Sequence, residues 1–475
     1  MVTKGHHSFT LVDEPEFRKL LDMVSTCLGY NLPTRKTLSN TLIPKYYTEV
    51  FETILQKVKE SFDVCLCTDA WTSSNTQFYI AVTAHYIDHN TEMQSILLGC
   101  LNYNDRHTSE NLVAFLRQMM QDWQITHKVR CVVIDNAANI QAAIRLGDWR
   151  SVGCFRHGLN LCVQNALKSI ADVLEKVKAI VEHFKRSYTA QSKLEAILKQ
   201  MDLPVLKLKQ ECPTRWNSCY EMLLRMIKIK HAIISTLALI RSDLSLQNAE
   251  WDLIEKVIPI LKPFYEITQE ISTEKYVSLS KALVFTNLMC KHVAKEILSQ
   301  NNAKIKILLE KLQNQLLTRF HDLESNVLYS NSCILDPRFK KRGFRTPEAF
   351  ERALGGLKRR IGHIRIINIE EPTVQKMEPP QNLAEPSIWD EFDAADAQVT
   401  RPLNATAAGI RELDKYVEQD NLNRKKNPLK WWHARKDIYP HLYQLMLKRL
   451  CIQATSVSCE SFFSGAGLLI NDRRK

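Results

Sequence analysis

Features that mark secreted, membrane-spanning or disordered proteins are scarce in this sequence. Glycine provides only 13 of 475 residues and no long stretch is compositionally biased, so most of the chain is expected to fold. No apolar run approaches the roughly 18 residues that span a bilayer, and the N-terminal stretch lacks the apolar core of a signal peptide. The 13 cysteines are scattered, often within apolar runs, as in reduced proteins rather than disulfide frameworks. We therefore expect a soluble intracellular protein with no membrane partner.

Charge is the first positive signal. The chain has a formal net charge of +12 and a sequence pI of about 9.0. This balance favours an acidic partner, of which nucleic acid is the commonest. Basic proteins without such a partner also occur, so composition alone leaves the partner open.

Hydrophobic periodicity divides the chain into five regions. Residues 1–60 show helical spacing, residues 61–160 combine short β-rich runs with helices, and residues 161–366 show almost only helical spacing. Residues 367–408 are proline-rich and acidic, as in an exposed linker. Residues 409–475 return to order, with helices predicted at Gly409–Gln419, Trp432–Leu450 and Val457–Leu468.

The β-rich region predicts the fold class. Its elements follow the order β-β-β-α-β-α-β-α, with one of the helices at Ser109–Asp122. Three consecutive strands favour an antiparallel meander, and helical crossovers then add parallel strands. We therefore predict an α/β fold with an RNase H-like mixed sheet, interrupted by a large all-helical insertion.

Two aspartates are the first candidates for chemistry. Asp69 ends the first predicted strand and Asp135 ends the fourth, and these strands are adjacent in the predicted sheet. Carboxylates at adjacent strand ends provide the oxygen ligands that hard divalent cations prefer, and they leave room for phosphate oxygens. Each aspartate could instead cap a helix or a turn.

Six segments between residues 68 and 474 stand out as motifs. They are TDAWTS (Thr68–Ser73), VIDNAANI (Val133–Ile140), CFRH (Cys154–His157), CPTRWNSCYEML (Cys212–Leu223), SCILDPRFK (Ser332–Lys340) and the long C-terminal segment Asn427–Arg474. In kind and in order they resemble the motifs of hAT-family DNA transposases, and most of all those of the transposon-derived zinc finger BED proteins, in which the last segment is the dimerisation signature.

This resemblance implies a catalytic and metal-binding triad of Asp69, Asp135 and Glu460, the last of which the residues alone would leave on a helix surface. It further implies Mg²⁺ or Mn²⁺ if the protein is catalytically active, DNA cleavage and strand transfer, a nuclear location and DNA as a partner. The alternative is a domesticated protein, a catalytically silent transcriptional regulator or chromatin-associated scaffold.

Four other residues are candidates for DNA binding. In the resemblance, Cys154 and His157 lie by the active site and position the DNA backbone, while Arg215 and Trp216 contact DNA or stack on a flipped base. Trp216 could equally pack the insertion against the core, with Arg215 capping a helix. A zinc site is not predicted, because no second Cys/His pair has suitable spacing. The BED finger typical of the family is also not expected, since Cys27 is the only cysteine in residues 1–60.

The C-terminal segment implies a homodimer or a higher homo-oligomer. It is rich in aromatic and aliphatic residues, some of which must also pack on the sheet. Two basic stretches, Lys340–Arg365 and Asn423–Lys436, could follow phosphates or form merely solvated surfaces. The residues predicted for dimerisation are Trp431, Trp432, Leu450, Phe462 and Phe463.

Overall fold

A five-stranded mixed sheet forms the centre of the computed structural model, which describes residues 7–24, 32–73, 76–272, 276–361 and 405–469. The strand order is β3-β2-β1-β4-β5. The first three strands pair antiparallel, and β4 and β5 extend the sheet in parallel from β1, which confirms the predicted fold class. The strands are β1 (Val64–Thr72), β2 (Phe78–Ile87), β3 (Met93–Asn102), β4 (Val129–Ile134) and β5 (Ser151–Gly153).

Both faces of the sheet are covered, which explains why its central strands are almost continuously apolar. Alternate residues of β1 point to opposite faces, so Leu66 and Cys67 enter different cores. The Leu66 face packs on three helices that precede or connect the strands. The Cys67 face packs on the helical insertion and the C-terminal segment.

One helix outside the insertion begins at a clear local start signal. The side chain of Thr108 accepts a hydrogen bond from the Asn111 amide and caps the helix Ser109–Asp122, whose bounds match the prediction. Near the N-terminus, the helical turns Arg35–Thr37 and Leu38–Leu42 continue into a longer helix. The helices of this part are Pro15–Val24, Ile43–Glu60, Ser109–Asp122, Ala138–Leu146 and Phe155–Leu167.

The described residues of the predicted insertion are mainly helical, with an irregular stretch at residues 201–215. The helices of the insertion are Ala171–Arg186, Tyr188–Gln200, Trp216–Lys228, Lys230–Ile240, Asn248–Ile271, Leu279–Ser299, Ala303–Phe320, Val327–Leu335 and Pro347–Ile361. The predicted acidic linker lies outside the described residues up to position 404, and a helix begins at Ala405. In the described part of the chain, no helix is both long and apolar enough to cross a bilayer.

The C-terminal segment corrects one prediction. The single helix predicted at Trp432–Leu450 is two helices, because Pro440 has no backbone N–H to donate and holds Tyr439 in a non-helical conformation. The first of these two helices, Pro428–His433, packs against the core. There the Trp432 indole donates a hydrogen bond to the Leu335 carbonyl at 2.9 Å. The helices of this segment are Ala405–Glu418, Pro428–His433, Pro440–Leu450 and Val457–Leu469.

Candidate functional site

Asp69 and Asp135 emerge together at the carboxyl edge of the sheet. Strands β1 and β4 are parallel, with Cys67 paired to Val133, and each aspartate lies two residues further along its strand. Both side chains are half-buried. Asp69 accepts a hydrogen bond from the Ala70 amide at 2.8 Å, and Asp135 accepts one from the Ala137 amide at 3.2 Å. Asp135 therefore caps a turn and also lies at the carboxyl edge of the sheet.

Glu460 reaches this edge through the first turn of the C-terminal helix, Val457–Leu469. The Cys459 thiol donates to the Cys67 carbonyl at 3.3 Å. The Ser458 hydroxyl is hydrogen-bonded to the Thr83 hydroxyl at 2.8 Å. These contacts attach the start of the helix to β1 and β2, so a residue distant in sequence stands beside Asp69.

The three acids influence one another electrostatically. The pKa of Asp69 is raised from 3.8 to about 7, chiefly by burial and in addition by the negative charges of Glu460 and Asp135. The Ala70 hydrogen bond and the positive charge of Arg156 act in the opposite direction. The raised pKa means that the free carboxylate is disfavoured where it stands, a cost that protonation or a bound cation relieves.

Two arginines provide counter-charge to Glu460. Its carboxylate lies 2.5 Å from the Arg156 guanidinium and 3.8 Å from that of Arg215. Both arginines line a cleft of about 200 Å³, together with His157 and Asn160. Acidic and basic groups therefore share this cleft, and the Arg156–Glu460 pair is largely shielded from solvent.

The donor set partly fits a divalent metal ion. Asp69 and Asp135 offer carboxylate oxygens at one edge, as Mg²⁺ or Mn²⁺ requires. Within the described ranges, however, no three side chains among His, Cys, Asp and Glu stand close enough to hold a metal ion together. Glu460 as placed is bonded to Arg156 and does not complete such a site.

The loop that contains Arg215 and leads into Trp216, residues 212–216, is here called the Arg-Trp loop. Two amide side chains attach it to the helix Phe155–Leu167. Asn160 donates to the Thr214 carbonyl at 3.1 Å and accepts from the Trp216 amide at 3.0 Å. One turn further, Gln164 donates to the Pro213 carbonyl at 2.9 Å. The loop before Trp216 is therefore fixed along one helix face at the edge of the cleft.

Of the four residues predicted to bind DNA, two line the cleft with accessible surface. The Arg215 side chain is 60% exposed, and His157 is half-buried. Trp216 is 2% exposed and packs in an aromatic cluster with Tyr220. Cys154 is buried at the start of its helix, and burial raises the pKa of its thiol. In this conformation, stacking of Trp216 on a base would require it to leave the core.

The residues predicted for dimerisation divide between the core and the surface. Trp432 and Leu450 are fully buried within the chain itself, and Phe463 packs against Trp71 with 5.8 Å between ring centroids. Trp431 is half-buried, whereas Phe462 is 36% exposed. Their role in dimerisation stays a prediction, and direct contacts are best sought at the exposed positions.

Sequence reasoning missed Arg156, Asn160 and Gln164. All three come from one helix, and the i, i+4 spacing of Asn160 and Gln164 is a signal for a shared helix face. The partners of these side chains lie 49 to 304 residues away, so no local pattern identifies them.

Three family models match the chain and together cover more than half of it. The ZBED1 RNase-like domain matches residues 67–148, and the ZBED1 RNase-like helical domain matches residues 152–260. The hAT family C-terminal dimerisation region matches residues 412–475. The matched regions contain Asp69, Asp135 and Glu460.

Curated relatives agree with these matches. The human zinc finger BED domain-containing protein 4 is 25% identical over 98% of this chain and 40% of its own length. A putative AC transposase of Zea mays is 27% identical over 88% of the chain and 55% of its length. A putative transcriptional regulator, tpeD, of Talaromyces stipitatus is 26% identical over 73% of the chain and 44% of its length. The chain thus spans about half the length of these relatives. It belongs to the hAT transposase-derived family, together with BED zinc finger proteins and AC transposases.

Proposed function

We propose that this chain is a nuclear, DNA-binding, dimerising protein that retains the acidic triad of a transposase and can cleave DNA with a divalent metal ion. The observation that carries the proposal is the position of Asp69 and Asp135 at the ends of neighbouring strands, with the charge of Glu460 near enough to raise the pKa of Asp69. Strands β1 and β4 and the C-terminal helix each contribute one acid there. Buried carboxylates that repel one another are costly without a cation, which favours a metal-binding role for this edge.

Metal-dependent cleavage assigns distinct tasks to the side chains. Asp69 and Asp135 would hold the cation, which supplies a polarised phosphate and an activated oxygen nucleophile. Arg156 and Arg215 line the cleft around Glu460, where they would bind phosphate oxygens of a DNA strand. Glu460 would then leave its arginine partner and join Asp69 and Asp135. We call the site of these three acids the acidic centre.

A nuclear DNA-binding role is supported by charge and by relatives. The net charge of +12 supplies the sequence-independent attraction to phosphates. The relatives named as transposases, a BED zinc finger protein and a putative transcriptional regulator all have names that fit work on DNA. The match to the dimerisation region supports homo-oligomerisation.

Nicking of supercoiled plasmid with Mg²⁺ or Mn²⁺ tests the catalytic proposal. Asp69→Asn and Asp135→Asn are each expected to reduce the nicking rate at least about a hundredfold. Asp148→Asn is the matched control: it removes the same charge at an exposed position whose positive φ suits asparagine. Equal nicking by the parent chain and Asp69→Asn would refute an acidic catalytic centre.

One observation favours a second candidate, a catalytically silent DNA-associated regulator. The Arg156–Glu460 ion pair occupies the third acid, and the described residues contain no complete metal cluster. On this alternative, the parent chain binds duplex DNA by fluorescence anisotropy but does not nick it. A cellular phenotype caused by Asp135→Asn alone would contradict this candidate.

A further inference from the structure

A second pocket, of about 400 Å³, lies between the helices Val327–Leu335 and Pro347–Ile361. None of its lining residues belongs to the clefts around the acidic centre. We name it the arginine pocket, after Arg352, Arg359 and Arg360 in its wall. Asn331 and Gly356 also line it, on opposing helices.

Asn331 gives the strongest indication of a ligand. The residue is 1% exposed, yet neither its amide nitrogen nor its amide oxygen has a hydrogen-bond partner among the described residues. Buried amides are ordinarily hydrogen-bonded, since loss of hydration is otherwise uncompensated. An unpartnered amide in a pocket wall fits a ligand that both accepts and donates a hydrogen bond.

The charge of the pocket indicates an anion. None of its three arginines forms an ion pair with a described carboxylate, although Lys358 on the same helix pairs with Asp414 at 2.7 Å. Burial lowers the pKa of Arg360, and the positive charges of Arg150 and Arg359 lower it further. The guanidinium groups of Arg359 and Arg360 are thus held near each other without an ion-pair partner among the described residues.

One carboxylate also lines the pocket. Glu324 accepts hydrogen bonds from the Arg345 amide at 2.5 Å and from the Asn287 amide nitrogen at 3.3 Å, so its charge is engaged by other donors. Val327 in the wall starts a helix, whose positive dipole end adds to the attraction for an anion. The net field in the pocket is therefore positive.

A missing side chain leaves room beside the guanidinium groups. Gly356 lies inside a helix, where glycine is less favourable than alanine. A Cβ atom at this position would stand 3.6 Å from the Arg360 guanidinium and 3.9 Å from that of Arg359. Space is thus kept open where an anion would contact both arginines.

We propose that the arginine pocket binds inorganic phosphate or the monoanion of a phosphate monoester, both of which carry a phosphate O–H. The phosphate oxygens accept hydrogen bonds from the arginines and from the Asn331 amide nitrogen, while the phosphate O–H donates to the Asn331 amide oxygen. A DNA phosphodiester lacks this O–H and leaves that oxygen unpaired. Binding here does not require the acidic centre to be catalytic.

Calorimetric titration of the full chain with inorganic phosphate, at constant ionic strength, tests the proposal. Saturable binding with one site per chain is expected, and sulfate is expected to bind about tenfold more weakly because it carries no O–H near neutral pH. Adenosine 5′-monophosphate and O-phosphoserine serve as monoester probes at about pH 6, where a large share of each carries a phosphate O–H. Whichever binds more tightly than phosphate indicates the natural source of the group.

Asn331→Leu is the decisive variant. It removes a buried unpartnered amide, so the fold should be at least as stable by thermal unfolding, while phosphate binding weakens at least about tenfold and the preference over sulfate disappears. The Arg359→Gln and Arg360→Gln double variant should also weaken phosphate binding about tenfold without altering the core. Arg342→Gln, an exposed arginine outside the pocket, is the matched control and should bind as the parent chain does.

Two results would overturn the proposal. One is a parent chain that shows no saturable phosphate binding. The other is phosphate binding that is equal in the parent chain and in Asn331→Leu. The affinity for duplex DNA is expected to be the same in the parent chain and in Asn331→Leu. If Asn331→Leu loses DNA affinity while its phosphate binding is unchanged, a phosphate monoester site is likewise contradicted.

Discussion

The acidic centre and the arginine pocket both gather side chains of one sign, but they balance their charge differently. At the acidic centre the chain supplies its own counter-charge, since Glu460 is bonded to Arg156 and lies near Arg215. In the arginine pocket, Arg359 and Arg360 have no carboxylate partner among the described residues. A cation at the first site must therefore compete with an arginine, whereas an anion at the second displaces only solvent.

A third set of charged residues, a buried ion pair elsewhere in the chain, provides a reference in which all charges are paired. Asp336 and Arg338 in the Leu-Asp-Pro-Arg segment form a bidentate pair at 2.8 and 2.6 Å, and both are almost fully buried. Asp336 also accepts from the Ser280 hydroxyl at 2.6 Å. Here every charge is matched internally, which indicates a structural role rather than a binding role.

The largest effect is expected from breaking this reference pair. Asp336→Asn leaves the Arg338 guanidinium buried without its counter-charge, and should lower the free energy of unfolding by about 3–5 kcal/mol. Urea unfolding monitored by circular dichroism measures it. The matched control is Asp243→Asn, which breaks an exposed arginine pair of the same sequence spacing and should change stability little. Similar losses in both variants would contradict the distinction between buried and exposed pairs.

A smaller effect is expected when the acidic centre loses its internal counter-charge. Arg156→Gln leaves Glu460 without its closest partner and increases repulsion with Asp69, so the metal-free fold should lose about 1–2 kcal/mol. Added Mg²⁺ or Mn²⁺ should restore more stability to this variant than to the parent chain. Thermal unfolding with and without the cation measures this difference.

The control for this prediction uses the second arginine. Arg215 lies farther from Glu460 and is more exposed, so Arg215→Gln should produce a weaker change of the same sign. If Arg156→Gln gains no additional response to the cation, Arg156 does not compete with metal for Glu460.

The sheet could be predicted from sequence because its signals are local. Short β-rich runs predicted five strands in the observed order, and the helix Ser109–Asp122 was predicted with its observed bounds. Parallel pairing of β1 and β4 then brought Asp69 and Asp135 to one edge. Each of these inferences uses residues that are close in sequence, or a connection rule for adjacent strands.

The rest of the site depends on contacts that no local pattern shows. The position of Glu460 came from a family resemblance, because its neighbours Cys67 and Thr83 are separated from it by almost the whole chain. The burial of Trp432 in the chain's own core was hidden, since an apolar stripe looks alike in a core and in an interface. The unpaired state of Asn331 is visible only when all its neighbours are placed.

A still smaller change should follow from neutralising Asp69. In the folded chain its pKa is raised from 3.8 to about 7, chiefly by burial, so the folded state holds this proton more tightly than the unfolded state does. The Asp69 contribution to stability therefore decreases as pH rises from about 4 to 7, and stays low above pH 7. Asp69→Asn should therefore raise the free energy of unfolding at pH 8, where the parent chain has lost the Asp69 contribution. At pH 5 the same variant should raise it much less.

The expected gain at pH 8 is on the order of 1 kcal/mol, because partial exposure of the carboxyl screens the interaction. Urea unfolding at the two pH values measures it. An equal gain at both would mean that removal of the charge is not the cause. The same variant is expected to lose nicking activity, so a gain in stability there would accompany a loss of function.

The smallest expected effect separates helix propensity from pocket shape. Gly355 and Gly356 are adjacent in one helix, and replacing either by alanine should stabilise that helix by about 0.5–1 kcal/mol. The Cβ atom at position 355 meets nothing within 4 Å, whereas that at position 356 contacts both guanidinium groups of the arginine pocket. Gly356→Ala should therefore weaken phosphate binding a few-fold by calorimetry, and Gly355→Ala should leave it unchanged. Both variants should change stability alike, so a difference in their phosphate affinity must come from the space that Gly356 keeps open. Equal phosphate affinity in the two variants would show that the bound anion does not use this space.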